Sequence, residues 1–108
     1  NLLVNEIAPR PHNSGHYTIE ACPTLSQYKS HLLSILGMMP KFADLVIPML
    51  SPASIMLNIL GGAETKSHEV LVERALTIPS AALHMYGKDS RPGRKIGHIT
   101  IVSDTMNQ

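Results

Sequence analysis

A helical pattern of apolar residues lies in the first third of the chain. Its stripe, spaced by four residues, consists of Tyr28, Leu32 and Leu36. Thr24 is followed three residues later by Gln27, which is the pattern of a capping box, where two side chains bond the free amides of a helix N-terminus. Gly37 is typical of the position just after a helix C-terminus. Together these residues predict a helix over about residues 25–36.

Short β-rich runs dominate the second half of the chain. Residues 53–60 form the first run, which ends at Gly61. Two more runs cover residues 82–86 and 96–102, and the second of them alternates isoleucine with polar residues. The connection between them, 87–95, contains glycine and proline, so the pair is predicted to form a hairpin.

The remaining segments complete the predicted architecture. Ser67 can cap a second helix over about residues 68–77, which Pro79 would terminate. Residues 1–8 are predicted to form a short strand, and the three prolines of residues 38–52 predict a long irregular connection. The pattern as a whole predicts an α+β fold in which antiparallel strands carry two helices.

Composition and charge exclude several classes of protein. The net charge of +1 gives no overall field that would favour nucleic acid or a membrane surface, and no apolar run is long enough to cross a bilayer. With one Phe, three Tyr and no Trp, the core must be aliphatic. The single Cys22 excludes an internal disulfide and suits a reducing compartment. We therefore expect a cytoplasmic protein with no nucleic-acid partner and no membrane partner.

The chain begins inside an apolar run, Leu2-Leu3-Val4. A natural protein rarely begins in the middle of a strand, so we interpret the chain as a piece of a longer parent chain. The rest of that parent chain is then expected to be a partner of this piece. An edge strand at this position would leave backbone groups unpaired, which favours a homodimer.

Polar and charged side chains follow the predicted N-terminal strand. Glu6 lies at its end, and Arg10 follows in the next loop between two prolines. A carboxylate can hold Mg²⁺, whose shell is completed by phosphates and water, and a guanidinium suits a carboxylate, phosphate or bicarbonate. The alternative is a simple turn in which Glu6 pairs with Arg10. His12 and His16 could also suggest zinc, but no third ligand at a suitable spacing accompanies them.

A second cluster of charge lies in the connection between the last two strands. Four basic residues fall within eight positions there: Lys88, Arg91, Arg94 and Lys95. Neighbouring glycines let a ligand approach the backbone closely, so the cluster predicts a clamp for a phosphate or another anion. The alternatives are a solvated hairpin tip and a loop that binds RNA or an acidic protein. His84 and His98, in the flanking strands, are predicted to be satisfied strand residues rather than ligands.

Two motifs carry a resemblance to a known family. Residues 5–21 resemble the signature of the 5-aminoimidazole ribonucleotide carboxylases of the ATP-grasp superfamily, and they are Asn-Glu-Ile-Ala-Pro-Arg-Pro-His-Asn-Ser-Gly-His-Tyr-Thr-Ile-Glu-Ala. Residues 91–98 are similar to a second family motif, with isoleucine where the family has methionine. The resemblance implies the C-terminal part of an ATP-grasp fold. Residues 1–37 would end the ATP-grasp domain, and residues 38–108 would form a small β-rich domain with a phosphate-binding hairpin loop.

The resemblance also implies a role for each polar residue. In this family the glutamate of the Asn-Glu pair holds Mg²⁺ (or Mn²⁺) against ATP, which assigns metal and ATP binding to Glu6 and ATP binding to Asn5. Related ATP-grasp enzymes place an arginine against bicarbonate or carboxyphosphate, which assigns a catalytic role to Arg10. The residues that would bind the acceptor ribonucleotide are His12, Asn13, Lys88, Arg94 and Lys95, the last three at its 5′-phosphate.

The implied reaction is the carboxylation of 5-aminoimidazole ribonucleotide with ATP and bicarbonate in purine biosynthesis. The chain departs from the wider superfamily at one metal ligand. Biotin-dependent carboxylases have an asparagine ligand where this chain has Ala8, so water or Asn5 is expected to fill that position in the metal shell. A formate-dependent glycinamide ribonucleotide transformylase is the nearest alternative, but it typically has Asp-Thr at Asn13-Ser14. The sequence of residues 55–61 is similar to that of the fungal enzyme, in which a second carboxylase domain follows. The chain alone is expected to be inactive.

Overall fold

The computed structural model describes residues 1–41, 47–64 and 66–105. Within them lie three α-helices, α1 (Thr18–Ala21), α2 (Gln27–Ile35) and α3 (Glu69–Leu76), and a 3₁₀ turn at Asn13–Gly15. Three strands form one sheet, and they are β1 (Ala53–Leu60), β2 (Ala81–Met85) and β3 (Lys95–Ser103). The predicted α+β class is confirmed.

Helix α2 confirms the position of the first predicted helix but not its cap. Ser26, rather than Thr24, is the N-cap residue, because its backbone is extended and its Oγ accepts a hydrogen bond from the amide of Lys29 at 3.4 Å. At the other end, Gly37 has a φ of +66°. The amides of Gly37 and the next residue bond carbonyls of the last helical turn, as in a Schellman motif. The predicted role of Gly37 is therefore confirmed.

The N-terminal segment differs from its prediction. Residues 1–8 form no strand and pair with no strand in the described part of the chain, so the prediction of a strand there is wrong. A strand is stabilised by the hydrogen bonds of a neighbouring strand, and this segment has none. Its apolar side chains, such as Leu2 and Ile7, are exposed. Helix α1 escaped prediction because a single turn is too short to show a period.

Helix α3 lies within the predicted range, but Ser67 does not cap it. The Oγ of Ser67 donates to the carbonyl of Glu64 at 2.8 Å in the preceding turn. His68 occupies the N-cap position without a side-chain hydrogen bond. The helix is therefore held by packing against the sheet rather than by its cap.

Strand β3 lies at the centre of the sheet and pairs antiparallel with both neighbours, which confirms the predicted β2–β3 hairpin. Residues at one register position point to the same face of a sheet. One face carries Leu57, Ile99 and Leu83, and the opposite face carries Asn58, His98 and His84. The sheet therefore has an apolar face and a polar face.

Both faces of the central strand are covered. Helix α3 packs on the apolar face, where the buried core consists of Ile59, Ala75, Ile96 and Ile99. The N-terminal helices and loop cover the polar face. His98 and Thr100, at 2% and 0% exposed, are therefore as buried as Ile99 at 6%. The alternating pattern of β3 did not predict this burial.

The connection between the two parts of the chain is irregular where it is described. Residues 38–41 and 47–52 contain no helix or strand, and residues 42–46 of the predicted connection lie outside the described residues. A domain boundary after residue 37 stays a prediction. Within the described ranges, no helix is long and apolar enough to cross a membrane.

Candidate functional site

The loop after residue 8 carries the predicted catalytic arginine on an exposed turn. Among the described residues, the Nη1 of Arg10 donates only to the neighbouring carbonyl of Pro11, at 3.2 Å. An open cleft of about 360 Å³ lies between this loop and α2, and it is lined by residues 8–11 and by Gln27, Ser30, His31 and Ser34. An exposed guanidinium at the edge of a polar cleft can bind an anion from solution.

The next residues fix this loop against the sheet. His12 caps the 3₁₀ turn, because its Nδ1 accepts from the amide of Ser14 at 3.3 Å and lies 2.8 Å from the Oγ of the same residue. The Nδ2 of Asn13 donates to the Oδ1 of Asn58 in β1, at 3.3 Å. The two residues predicted to face the acceptor nucleotide are thus held on the polar face of the sheet.

The predicted metal residues lie in the exposed N-terminal segment. Asn5 and Glu6 offer one amide oxygen and one carboxylate, and Mg²⁺ commonly takes one or two carboxylates together with phosphates and water. The described residues contain no group of three His, Cys, Asp or Glu side chains that could hold a metal. The donor set therefore fits one edge of a Mg²⁺ shell. The ion pairs in the described ranges do not include the pair of Glu6 with Arg10 that the alternative required.

The basic loop between β2 and β3 presents its cations to solvent. The Nζ of Lys88 lies 5.4 Å from the ring centroid of Tyr86, in a cation–π contact. The Nη1 of Arg94 donates to the carbonyl of Asp89 at 3.3 Å, and Lys95 is the first residue of β3. All three predicted phosphate ligands are exposed. They are therefore free to bind an anionic group.

Gly61, at the end of β1, anchors this loop. Its amide donates to the carbonyl of Arg94 at 2.8 Å, and its carbonyl accepts from the amide of Gly93 at 2.9 Å. A side chain at Gly61 would not fit, because its Cβ would lie 2.7 Å from the amide nitrogen of Arg91. Gly93 has a φ of +73°, which favours glycine. The shape of the loop therefore depends on contacts with a residue about thirty positions earlier.

A cluster of five rings, of which His16 and His98 are buried, lies between the two predicted sites, and sequence reasoning missed it. It consists of His16, Tyr28, His84, Tyr86 and His98. The ring centroid of His98 lies 4.8 Å from that of His16 and 4.5 Å from that of His84. The available signal was the hairpin register, which places His84 opposite His98 on one face.

Burial governs the electrostatics of this cluster. Burial, with smaller contributions from His84 and His16, lowers the pKa of His98 to about 4. Burial likewise lowers the pKa of His16 and raises that of Tyr86. His98 is therefore neutral at pH 7. Its Nδ1 shares a hydrogen bond of 2.7 Å with the Tyr86 hydroxyl, whereas its buried Nε2 has no described partner.

The ring cluster joins the two predicted sites. His16 closes the loop that holds His12 and Asn13, and Tyr86 lies directly before the basic loop and beneath Lys88. The ring centroids of His16 and Tyr86 are 5.9 Å apart. The two sites thus contact one cluster, although no direct contact between their predicted ligands occurs in the described part of the structure. His98 lies in β3, as predicted, and its Nε2 has no hydrogen-bond partner among the described residues; that it is not a ligand stays a prediction.

The two ends of the chain match two protein families. Residues 1–28 match the ATP-grasp domain, so the fold and the first predicted site define the class of ATP-grasp proteins. Residues 54–108, half of the chain, match the phosphoribosylaminoimidazole carboxylase C-terminal domain. The chain belongs to the phosphoribosylaminoimidazole carboxylase family. The resemblance predicted from the motifs is confirmed.

Curated relatives extend over nearly the whole chain. A phosphoribosylaminoimidazole carboxylase from Ogataea methanolica is 56% identical over 108 residues, which is 98% of this chain and 19% of that protein. An N5-carboxyaminoimidazole ribonucleotide synthase from Staphylococcus epidermidis is 44% identical and covers 100% of this chain, which spans 27% of that protein. The chain therefore spans about a fifth to a quarter of the curated relatives it matches, and of these two it is more similar to the fungal one.

Solved structures agree with this assignment. The N5-carboxyaminoimidazole synthase from Aspergillus clavatus, in complex with ADP and 5-aminoimidazole ribonucleotide, is 51% identical and has a TM-score of 0.78. The match covers 90% of this chain and 25% of that structure. The fold is therefore that of a C-terminal segment of an ATP-grasp synthase, about a quarter of its length.

Proposed function

We propose that this chain is the acceptor-binding part of an enzyme that carboxylates 5-aminoimidazole ribonucleotide with ATP and bicarbonate, through carboxyphosphate, in purine biosynthesis. The observation that carries the proposal is the likeness to the Aspergillus clavatus synthase, whose complex contains ADP and 5-aminoimidazole ribonucleotide. The two chains share 51% of their residues and one fold, which supports the same ligands for this chain.

Arg10 is the residue proposed to act on the bicarbonate-derived anion. Its guanidinium is exposed at the cleft and, within residues 1–41, 47–64 and 66–105, has one hydrogen bond, to a neighbouring carbonyl. A planar guanidinium can donate two parallel hydrogen bonds, so it can orient bicarbonate and stabilise the negative charge of carboxyphosphate. Glu6, with Asn5 beside it, would hold Mg²⁺ (or Mn²⁺), which when bound supplies positive charge to the ATP phosphates.

The basic loop is proposed to anchor the 5′-phosphate of the acceptor. Lys88, Arg94 and Lys95 are exposed on a loop that the contacts of Gly61 hold in shape. His12 and Asn13, held on the polar face of the sheet, would contact the remainder of the nucleotide. Binding energy from the remote phosphate then serves to place the reacting amine beside the carboxyphosphate.

The rest of the parent chain would complete the active site. The adenine contacts and the other metal ligands would come from the rest of the parent chain, since this chain spans 19% of its Ogataea relative. We expect a cytoplasmic enzyme that pairs with a second copy of itself, and no nucleic-acid partner.

A segment exchange tests the proposal. The Ogataea methanolica relative would be purified with its own segment replaced by this chain, and phosphate release would be measured with ATP and bicarbonate, with and without 5-aminoimidazole ribonucleotide. We expect turnover that depends on both bicarbonate and this ribonucleotide and reaches at least about a tenth of the rate of the unmodified relative, because 56% of the residues are already shared. The 108-residue chain alone should show none.

Two results would overturn the proposal. One is a folded exchange enzyme that fails to use 5-aminoimidazole ribonucleotide while the unmodified relative succeeds. The other is turnover with glycinamide ribonucleotide and formate in its place. Turnover by the isolated chain would contradict the expectation that its active site is completed by other segments.

A further inference from the structure

The side chain of Gln27 lies between helix α2 and the loop that carries the proposed acceptor ligands. Its Oε1 accepts from the backbone amide of His12 at 3.0 Å. Its Nε2 donates to the backbone carbonyl of His12 at 2.9 Å and lies 2.7 Å from the Nδ1 of His16. One amide group thus satisfies both backbone groups of His12 and one ring nitrogen of His16.

The orientation of this amide is determined by its partners. A backbone N–H can only donate, so the atom that faces the amide of His12 must be the oxygen of Gln27. The other atom is then the nitrogen, which has only hydrogens to offer. The Nδ1 of His16 also lies 3.1 Å from the Tyr28 hydroxyl, which can donate or accept. A hydrogen on Nδ1 would meet the amide hydrogens of Gln27 at 2.7 Å, so Nδ1 must accept, which places the proton of a neutral ring on Nε2. The burial that lowers the pKa of His16 favours the same neutral form.

Gly15 provides the space that this contact requires. A Cβ at Gly15 would lie 2.5 Å from the Oε1 of Gln27 and 2.9 Å from its Cδ. The main-chain amide of Gln27 adds a further link, because it donates to the Oγ1 of Thr18 at 3.0 Å. The loop and the first turn of α2 are therefore matched to each other at several atoms.

We propose that Gln27 is a positioning residue that sets the conformation of residues 10–16 and the tautomer of His16, and so places Arg10, His12 and Asn13 for the acceptor nucleotide and the anion. The proposal rests on the proposed function for its consequence in catalysis. Gln27 lines the same cleft as Arg10, but both atoms of its amide are engaged by His12 and His16, so its proposed role is exerted through the loop.

Kinetics of variants in the segment-exchange enzyme test this role. Gln27→Met keeps the length of the side chain without its hydrogen bonds, and Gln27→Glu keeps the acceptor for His12 but loses the donor. We expect the KM for 5-aminoimidazole ribonucleotide to rise about tenfold in the Met variant and less in the Glu variant, while the KM for ATP stays within about twofold. Gly15→Ala should raise the same KM, because the added Cβ would displace the side-chain amide of Gln27.

Lys29→Ala is the matched control, since Lys29 lies in the same helix and its side chain is exposed. It should leave both KM values unchanged. Equal rises in both KM values, or unchanged KM values with only a lower yield of folded enzyme, would show a merely structural role and overturn the proposal.

A spectroscopic measurement separates this proposal from the proposed function. In ¹⁵N-histidine-labelled exchange enzyme, His16, assigned with a His16→Gln variant, should have an unprotonated Nδ1. In the Gln27→Glu variant the carboxylate would require a donor, so the proton should move to Nδ1. This change, and faster amide exchange at residues 10–16 in Gln27→Met, are expected whatever the substrate is. A protonated Nδ1 in the unmodified enzyme would overturn the proposal even if carboxylation is observed.

Discussion

His98 illustrates at the scale of a single residue how burial sets chemistry. It is 2% exposed and stacks on two other histidines, so its protonation would place a charge in a site with little water. Its hydrogen bond with the Tyr86 hydroxyl and its stacking on His16 tie the loop of His16 to the basic loop. The same ring therefore contributes both to packing and to the pH range in which the fold is stable.

The pH dependence of unfolding should report this histidine. Its pKa is about 4 in the folded chain and 6.5 in the unfolded chain, so only the unfolded chain binds the proton between these values. The free energy of unfolding should therefore be highest above pH 6.5 and fall as the pH decreases toward 4, by roughly 2 to 3 kcal/mol from this group. Urea unfolding of the chain at pH 7.5 and pH 4.5 measures the fall, and His98→Phe should reduce it.

His31→Phe is the control, because His31 is exposed. It should leave the pH dependence of the unfolding free energy unchanged. An equal fall in the unmodified chain and in His98→Phe would contradict the prediction.

At the scale of elements, the end of β1 and the basic loop form one unit. Gly61 exchanges backbone hydrogen bonds with Arg94 and Gly93, and an isolated bridge pairs it with Pro92. The cations of the loop therefore depend on a strand that is distant in sequence. The loop itself contains glycines with positive φ at Gly87 and Gly93, which set its turns locally.

Gly61→Ala should disturb this unit. The added Cβ would collide with the backbone of Arg91, so the loop must move or the junction must open. We expect a loss of about 1 to 3 kcal/mol in the free energy of unfolding, and a several-fold higher KM for 5-aminoimidazole ribonucleotide in the exchange enzyme. Gly37→Ala is the control for KM, because its φ of +66° is unfavourable for alanine while the space around it is open, so it should lower the free energy of unfolding without moving the basic loop. Equal KM values in the two variants would contradict the prediction.

At the scale of the whole molecule, the described part of the chain exposes many large apolar side chains. Leu2, Leu3 and Val4 are almost fully exposed in the unpaired N-terminal segment. A cleft of about 260 Å³ beside α3 is lined mainly by apolar side chains, including Ile55 and Leu57, which are 53% and 54% exposed. Exposed apolar patches of this kind favour association in water.

We therefore expect the isolated chain to self-associate as its concentration rises, which sedimentation velocity would measure. Leu57→Lys should shift the distribution toward monomer, because it places a charge in the apolar cleft. Val70→Lys, at an exposed position of α3 that does not line the cleft, should have a smaller effect. A monomer at all concentrations in the unmodified chain would contradict this prediction.

Much of the fold could be predicted because its signals are local. The apolar spacing of α2, the glycine after it and the hairpin of β2 and β3 each depend on a few neighbouring residues. The caps were predicted less well, since Thr24 and Ser67 have suitable side chains but other residues occupy the cap positions. The strand over residues 1–8 was wrong because a strand requires a partner, which the pattern of one segment does not contain.

Local patterns in the chain predicted α2, α3 and the three strands, and its motifs predicted the family and the residues proposed to bind ligands, because short motifs retain their residue types at fixed spacing. The contacts between those motifs follow from the packing of the folded chain. Gln27 bonds a residue 15 positions earlier, and the carboxylate of Glu20 accepts from the Nε2 of His84, 64 positions later. The burial of His98 depends on the pairing of β3 with both β1 and β2 and on the N-terminal loop that covers this face. Such contacts are set by how distant segments pack, so no local pattern in the chain could have predicted them.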